Sequence, residues 1–331
     1  MPLLPKSSYR PPFWLPNGHL QTIYPSFFRQ FLPVVYQRER ILTQDGDFLD
    51  LDWSYATAAK QGVKNELVIL SHGLEGSSQS QYMIGMVQYL NQAGYDCLAW
   101  NFRSCSGEMN LSLRFYHSGA TEDLQEVIQW ALGKGYTHIH LMGFSLGGNL
   151  TLKYLGEQGA ALPAEICKTV VYSVPLDLKA CSLAMRNGVN KVYMHRFLKS
   201  LKPKIVQKSL QFPDQIDLNR FADVKTLYDF DDIYTAALHG FDHADHYYET
   251  CSSVNFINNI TIPTLIVNAF NDPIVPFKSL PVDEIANLKF VYLENPKDGG
   301  HCGFRPFQLK NNVYWSEERA LSFLNTDFSL L

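Results

Sequence analysis

The amino-acid sequence predicts an α/β fold: a mostly parallel central sheet with helices on both faces and an inserted helical cap. Three observations carry that expectation. Apolar strand-like runs alternate with helical patterns through the first half of the chain, the alternation stops at Pro175, and it resumes near Ile262. Strand–helix alternation implies parallel strands whose two faces are both covered. The segment between is helical in flavour and contains no convincing strand.

In chain order, residues 1–37 are rich in proline and aromatics and read as an irregular arm wrapping the surface. Arg38–Asp45 and Phe48–Tyr55 flank Gly46 as the strands of a hairpin. Leu67–Leu70 is a short buried strand, Gln81–Ala93 a helix, Cys97–Trp100 a strand and Thr121–Leu132 a helix. His138–Met142 and Leu146–Tyr154 give a further strand and helix, and Thr169–Ser173 another strand. After the break, Thr264–Ala269 and Lys289–Leu293 are strand-like, and Trp315–Leu324 is a closing helix. One domain is therefore expected over 1–331, with an arm at 1–37, a core at 38–174 and 259–331, and a helical cap inserted at 175–258. An insertion at the carboxyl end of a strand sits where open α/β sheets bind ligands.

The chain has 331 residues, 46% hydrophobic and 18% charged, with 28 basic against 32 acidic groups and a net charge of −4. It is long and apolar enough to bury a substantial core, which excludes disorder over most of its length. Mild acidity argues against nucleic acid as a partner. No run approaches the roughly eighteen apolar residues of a membrane span. The N-terminus is broken by prolines and carries no apolar run of signal-peptide length, so a cytoplasmic protein is expected. Six scattered cysteines without a C-x-x-C pair fit buried hydrophobes better than a disulfide framework.

The most informative residues are Gly143-Phe144-Ser145-Leu146-Gly147, a G-x-S-x-G. An apolar strand runs into it and a helix-forming run leaves it, an arrangement that lets a serine project from the sheet edge. A serine hydroxyl needs a base to act as a nucleophile, and the base needs an orienting carboxylate. Asp272, in Asn271-Asp272-Pro273, follows the strand Thr264–Ala269, and His301, in Gly299-Gly300-His301, follows the strand Lys289–Leu293. Both fall on the same sheet edge as Ser145. The bland reading of Asp272 is an Asx turn before proline, and Asp298 is a fallback acid. The backbone N–H of Leu146 is one expected oxyanion donor. The second comes from His72-Gly73-Leu74-Glu75-Gly76, with Leu74 the choice and Gly73 the alternative. His72 is expected to brace its loop rather than serve as a base.

Four further blocks give a resemblance. Asn17-Gly18-His19-Leu20-Gln21-Thr22, His72-Gly73-Leu74-Glu75-Gly76, Asn101-Phe102-Arg103-Ser104-Cys105-Ser106-Gly107 and Gly299-Gly300-His301-Cys302-Gly303-Phe304 resemble the signature blocks of the YheT-like α/β hydrolases, from about residue 10 to residue 325. That group includes the mammalian monoacylglycerol-lipase-like ABHD members and yeast ethanol acyltransferases. The resemblance implies an α/β-hydrolase fold and a triad at Ser145, Asp272 and His301. It also implies carboxylester hydrolysis, or acyl transfer to an alcohol, on medium-chain or lipid-like esters. Two departures stand out: the N-terminal membrane anchor frequent in eukaryotic relatives is not expected here, and Ser104 replaces a glycine usual in its block.

Other signals are discounted. His239, His243 and His246, with Asp242 and Asp245, have helical spacing that could suggest a metal, but they are expected to pack in the cap. Arg186 to Lys208 holds seven Lys or Arg residues and no acid, beside an apolar stripe of Tyr193, Met194, Phe197, Leu198 and Leu201 that Pro203 is expected to break. A solvated basic cap helix is favoured there over contact with a membrane surface. Cys302 reads as a packing residue. The sequence therefore predicts a serine carboxylesterase on small-molecule or lipid-like esters, with no cofactor and no metal. An acyltransferase is the alternative, and a non-catalytic binding protein on the same fold a distant third.

Overall fold

The computed structural model describes residues 3–4, 6–30, 33–56 and 66–328. Nine strands form one sheet: β1 (Leu3–Leu4), β2 (Gln37–Leu42), β3 (Phe48–Ser54), β4 (Glu66–Ser71), β5 (Asp96–Asn101), β6 (His138–Phe144), β7 (Ile166–Tyr172), β8 (Thr264–Val267) and β9 (Val291–Glu294). Their spatial order is β1-β9-β8-β7-β6-β4-β5-β3-β2. Strand β3 runs antiparallel to both its neighbours, and the other pairings are parallel.

The central strands are near-continuous apolar runs because both faces are buried. In β4, Leu67 and Ile69 point into one core and Val68 and Leu70 into the other. The first core is closed by α3 (Thr121–Gly133) and α4 (Leu146–Gln158), through Leu124, Val127, Ile128 and Leu150. The second is closed by α2 (Gln81–Gln92) and the last helix (Trp315–Leu324), through Met83, Met86, Leu90 and Phe323. Each such side chain removed from water contributes about 1.5–3 kcal/mol.

Two expectations need correction. The N-terminal arm is not irregular. Residues 1, 2, 5, 31 and 32 of it lie outside the described residues, but Leu3–Leu4 pair in parallel with Leu293–Glu294, and Gly18–Phe28 form helix α1. The Asn17 carboxamide caps that helix by accepting from the Leu20 N–H at 3.0 Å. Nor does Pro203 end a helix. Between β7 and β8 lie α5 (Leu178–Ala184), α6 (Lys191–Gln211), α7 (Leu227–Phe230), α8 (Ala236–His239) and α9 (Ala244–Cys251), and α6 runs straight through Pro203. The proline loses one backbone bond on the exposed side, while buried Leu201 and Ile205 hold both flanks against the core. Short α10 (Val282–Ile285) and α11 (Trp315–Leu324) complete the chain.

The loop after β5 is tied down by charge. The buried Arg103 guanidinium lies 3.0 Å from Asp45, 2.9 Å from Asp47 and 2.7 Å from Asp123. Ser104 adopts φ = 64°, the left-handed conformation that suits the glycine of the resembling block. Its hydroxyl donates to Asn110 Oδ1 at 2.6 Å.

Candidate active site

Strands β4 and β6 are neighbours, and the chain turns to one side after β4, to β5, and to the other after β6, to β7, so a crevice opens at the carboxyl edge. Ser145 sits at that edge between β6 and α4, with φ 53° and ψ −119°. The turn is tight enough to dictate its glycines. A Cβ on Gly143 would come within 2.5 Å of the Gly147 carbonyl oxygen, and one on Gly147 within 2.4 Å of the Ser71 and His72 carbonyls. The Ser145 N–H donates to Tyr172 at 2.9 Å, anchoring the turn to the end of β7. The strained backbone at the serine is thus held by its neighbours.

The loops after β8 and β9 bring the two expected partners to this serine. His301 Nε2 lies 2.9 Å from Ser145 Oγ, and His301 Nδ1 lies 2.9 Å from Asp272 Oδ2. A carboxylate can only accept, so Nδ1 carries the proton and Nε2 faces the serine hydroxyl as an acceptor. Asp272 also accepts from the N–H groups of Ile274 and Val275 through Oδ1. The same side chain thus closes an Asx turn through Oδ1 and faces His301 Nδ1 through Oδ2. The fallback Asp298 is engaged elsewhere, accepting from Asn271 Nδ2 at 2.9 Å.

On the opposite side of the serine lies the loop after β4. The Gly73 N–H donates to the Tyr82 hydroxyl at 2.9 Å and is spent. Among the described residues no hydrogen bond consumes the Leu74 or the Leu146 amide. His72 is fully buried. It accepts from the Phe102 N–H through Nε2 and donates to the Gly73 carbonyl through Nδ1, bridging the loops after β4 and β5. Burial lowers its pKa to about 3, so the ring is neutral.

Three polar residues that build the histidine loop escaped sequence reasoning. Thr22 Oγ1 accepts from the His301 N–H at 2.8 Å, Gln21 Oε1 from the Gly299 N–H at 2.7 Å, and Asn271 Oδ1 from the Gly300 N–H at 3.0 Å. The only signal for the first two was the Asn17–Thr22 block, which carried no role on its own.

Above Ser145 opens a cleft of about 1000 Å³, counting its mouth. Its walls are mainly apolar, from Leu74, Leu146, Leu178, Met185, Leu201 and Ile274. At its far wall Asp231 accepts from the Thr235 and Tyr248 hydroxyls, each at 2.6 Å. The discounted histidines are occupied with backbone. His239 faces the Thr235 and Phe115 carbonyls, His243 caps α9, and His246 accepts from the Asp242 N–H. Among the described residues no group of His, Cys, Asp or Glu could hold a metal ion, and no helix is long and apolar enough to cross a membrane. The Cys302 N–H donates to Ser173 Oγ, and burial pushes its thiol pKa up, away from a reactive thiolate.

Residues 66–305 match the family model described as alpha/beta hydrolase fold. The Escherichia coli protein named "Putative esterase YheT" is 36% identical over 313 residues, covering 94% of this chain and 91% of that one. The human protein named Phospholipase ABHD3 is 29% identical over 310 residues, covering 90% of this chain and 73% of that one. A solved Pyrococcus furiosus esterase, Pf2001, superimposes with a TM-score of 0.55 at 19% identity, covering 89% and 95% of the two chains, which speaks for the fold alone. The chain belongs to the α/β hydrolase fold family and, within it, is similar to a YheT protein over nearly its whole length.

Proposed function

We propose that the protein is a serine carboxylesterase acting on medium-chain or lipid-like esters through an acyl-enzyme. The observation that carries this is the unbroken chain from Ser145 Oγ to His301 to Asp272, at 2.9 Å and 2.9 Å, opening on a mainly apolar cleft. His301 takes the hydroxyl proton as Ser145 attacks the ester carbonyl, and Asp272 orients the ring and stabilises the imidazolium. The amides of Leu74 and Leu146 receive the developing oxyanion. His301 then protonates the leaving alcohol, and water activated by the same ring releases the acid. Residues 175–258 act as a cap whose inner face accepts the acyl chain. The esterase and phospholipase names of the two relatives support ester chemistry.

A p-nitrophenyl ester series, from acetate to laurate, tests the reading on wild type and Ser145→Ala in parallel. The variant should lose at least about a thousandfold in kcat/KM while keeping its fold. In wild type, each methylene buried in the cleft should raise kcat/KM about fourfold until the cleft is filled. Loss of only a few fold in the variant would remove Ser145 from the chemistry.

A further inference from the structure

Helix α1 contains no charged residue, yet much of it faces solvent. Phe27 and Phe28 are 70% and 64% exposed, and Phe13 just before the helix is 83% exposed. These rings belong to one surface. Trp14 packs on Tyr24 at 4.8 Å between centroids, Tyr24 on Phe28 at 5.1 Å, and Phe28 on Phe27 at 6.5 Å. The Arg305 guanidinium lies 4.7 Å over Trp14, and the Phe307 N–H donates to the Arg10 carbonyl, which sets exposed Phe307 beside the same patch. A contiguous aromatic face of this kind on a water-facing helix marks an interaction site.

The charged side chain in contact with the rings is a cation, Arg305, over both Trp14 and Tyr24. Residues 1–38 and 299–316, which include these rings, contain no Asp or Glu in a chain whose net charge is −4, while Asp298, Glu317 and Glu318 border the second segment. Of their cations, Arg29 pairs with Glu317 and Arg38 with Asp52. Lys6, Arg10, Arg305 and Lys310 have no acidic partner among the described residues. We propose that this face seats the protein on an anionic phospholipid surface, with the aromatic rings at headgroup depth, Arg305 among them, and the other unpaired cations of the two segments adding to the attraction. Amphipathic aromatics ringed by Lys and Arg are the combination that binds the membrane interface. Self-association through the same face is disfavoured, because a two-fold pairing would lay one cation-bearing face on another with no acid from either face between them. The same helix carries Gln21 and Thr22, which hold the His301 loop, so the docked face is connected to the proposed catalytic histidine through α1.

The inference extends the proposed ester hydrolysis by giving the substrate a source, but it is read without turnover. Wild type is mixed with vesicles of phosphatidylcholine, with or without phosphatidylglycerol, and bound protein is separated by flotation. Wild type should float with the phosphatidylglycerol vesicles and far less with phosphatidylcholine alone. The Phe27→Ser/Phe28→Ser and Arg10→Glu/Lys310→Glu variants should each lose at least tenfold in binding, and both should hydrolyse p-nitrophenyl butyrate at the wild-type rate. Wild type that stays unbound, or variants that float like wild type, would overturn the proposal. So would a wild-type dimer in light scattering that Phe27→Ser/Phe28→Ser dissolves while vesicle binding is absent. An inactive wild type that still floats would count against the esterase reading alone.

Discussion

The Lys204 ammonium lies 2.7 Å from Glu75 Oε1, tying insertion helix α6 to the loop that carries Leu74. Glu75 holds φ = 55° there, and the Tyr116 hydroxyl both accepts from its N–H and donates to its carboxylate. Burial works against the Lys204 charge, but the neighbouring Cys105 thiol and Glu75 carboxylate outweigh it and keep its pKa above the usual lysine value. The loop that would receive the oxyanion is thus locked from the insertion side.

Lys204→Met should therefore act on both stability and rate. Removing one partner of a buried pair leaves the other uncompensated, a loss of about 3 kcal/mol in chemical denaturation. If Leu74 supplies an oxyanion donor, the contact is made in the transition state, so kcat on p-nitrophenyl butyrate should fall about tenfold with KM little changed. Lys204→Arg should restore most of the rate. Loss of stability with an unaltered kcat would confine the pair to a structural role.

Asp272 separates two roles that share one carboxylate. Asp272→Asn retains an oxygen for the Ile274 and Val275 amides but removes the charge facing His301 Nδ1. On the proposed mechanism kcat should drop by about 10⁴ with a small change in Tm. Asp272→Ala should be equally inactive and also less stable by roughly 2–4 kcal/mol, because two buried amides lose their acceptor. An Asn variant retaining a tenth of wild-type kcat would contradict the orienting role.

Thr22→Val tests the hold of the arm on the histidine loop. The variant leaves the His301 N–H without its acceptor, a cost of about 1–3 kcal/mol local to that loop. The expected result is a roughly tenfold fall in kcat with the Tm lowered by only a few degrees, and recovery in Thr22→Ser. A Val variant with wild-type kcat would mean that the loop is positioned by its other bonds.

These contacts also explain what the sequence could and could not convey. Strands β4 to β9 and the serine turn were legible because their signals are local: apolar runs and glycine punctuation. Helix α1 was not, because it lacks charge, contains Pro25, and draws its order from residues 278 and 279 positions away. The basic face of α6 is solvated at Lys191, Arg196, Lys199 and Lys202, as expected, but not at two positions. Lys204 and Lys208 look like solvated charges in sequence, yet both reach inward, Lys204 to Glu75 and Lys208 to the Asn110 and Ser112 carbonyls. Long aliphatic stems let a lysine cross an apolar wall to a distant acceptor, and no periodicity records the acceptor.

Asp231 makes the far wall of the cleft sensitive to pH. The residue is half-buried with its carboxyl withdrawn from water, its two hydrogen bonds come from the neutral hydroxyls of Thr235 and Tyr248, and desolvation raises its pKa from 3.8 to about 6. A raised carboxyl pKa means that the folded state holds the proton more tightly than the unfolded chain. Its contribution is therefore present in full below pH 3.8, and it is lost as pH rises through about 6. A shift of that size corresponds to about 3 kcal/mol. Asp231→Asn fixes the side chain in a neutral form and removes this dependence. The Tm of the Asn variant should therefore gain on wild type as pH rises from 4 to 7, then keep a constant lead. One of the Thr235 and Tyr248 hydroxyls can still donate to its amide oxygen, and the other can rotate to accept from its amide nitrogen, so the gain is not offset by a lost bond. A Tm difference that stays flat from pH 4 to 7 would show that Asp231 titrates like an exposed aspartate.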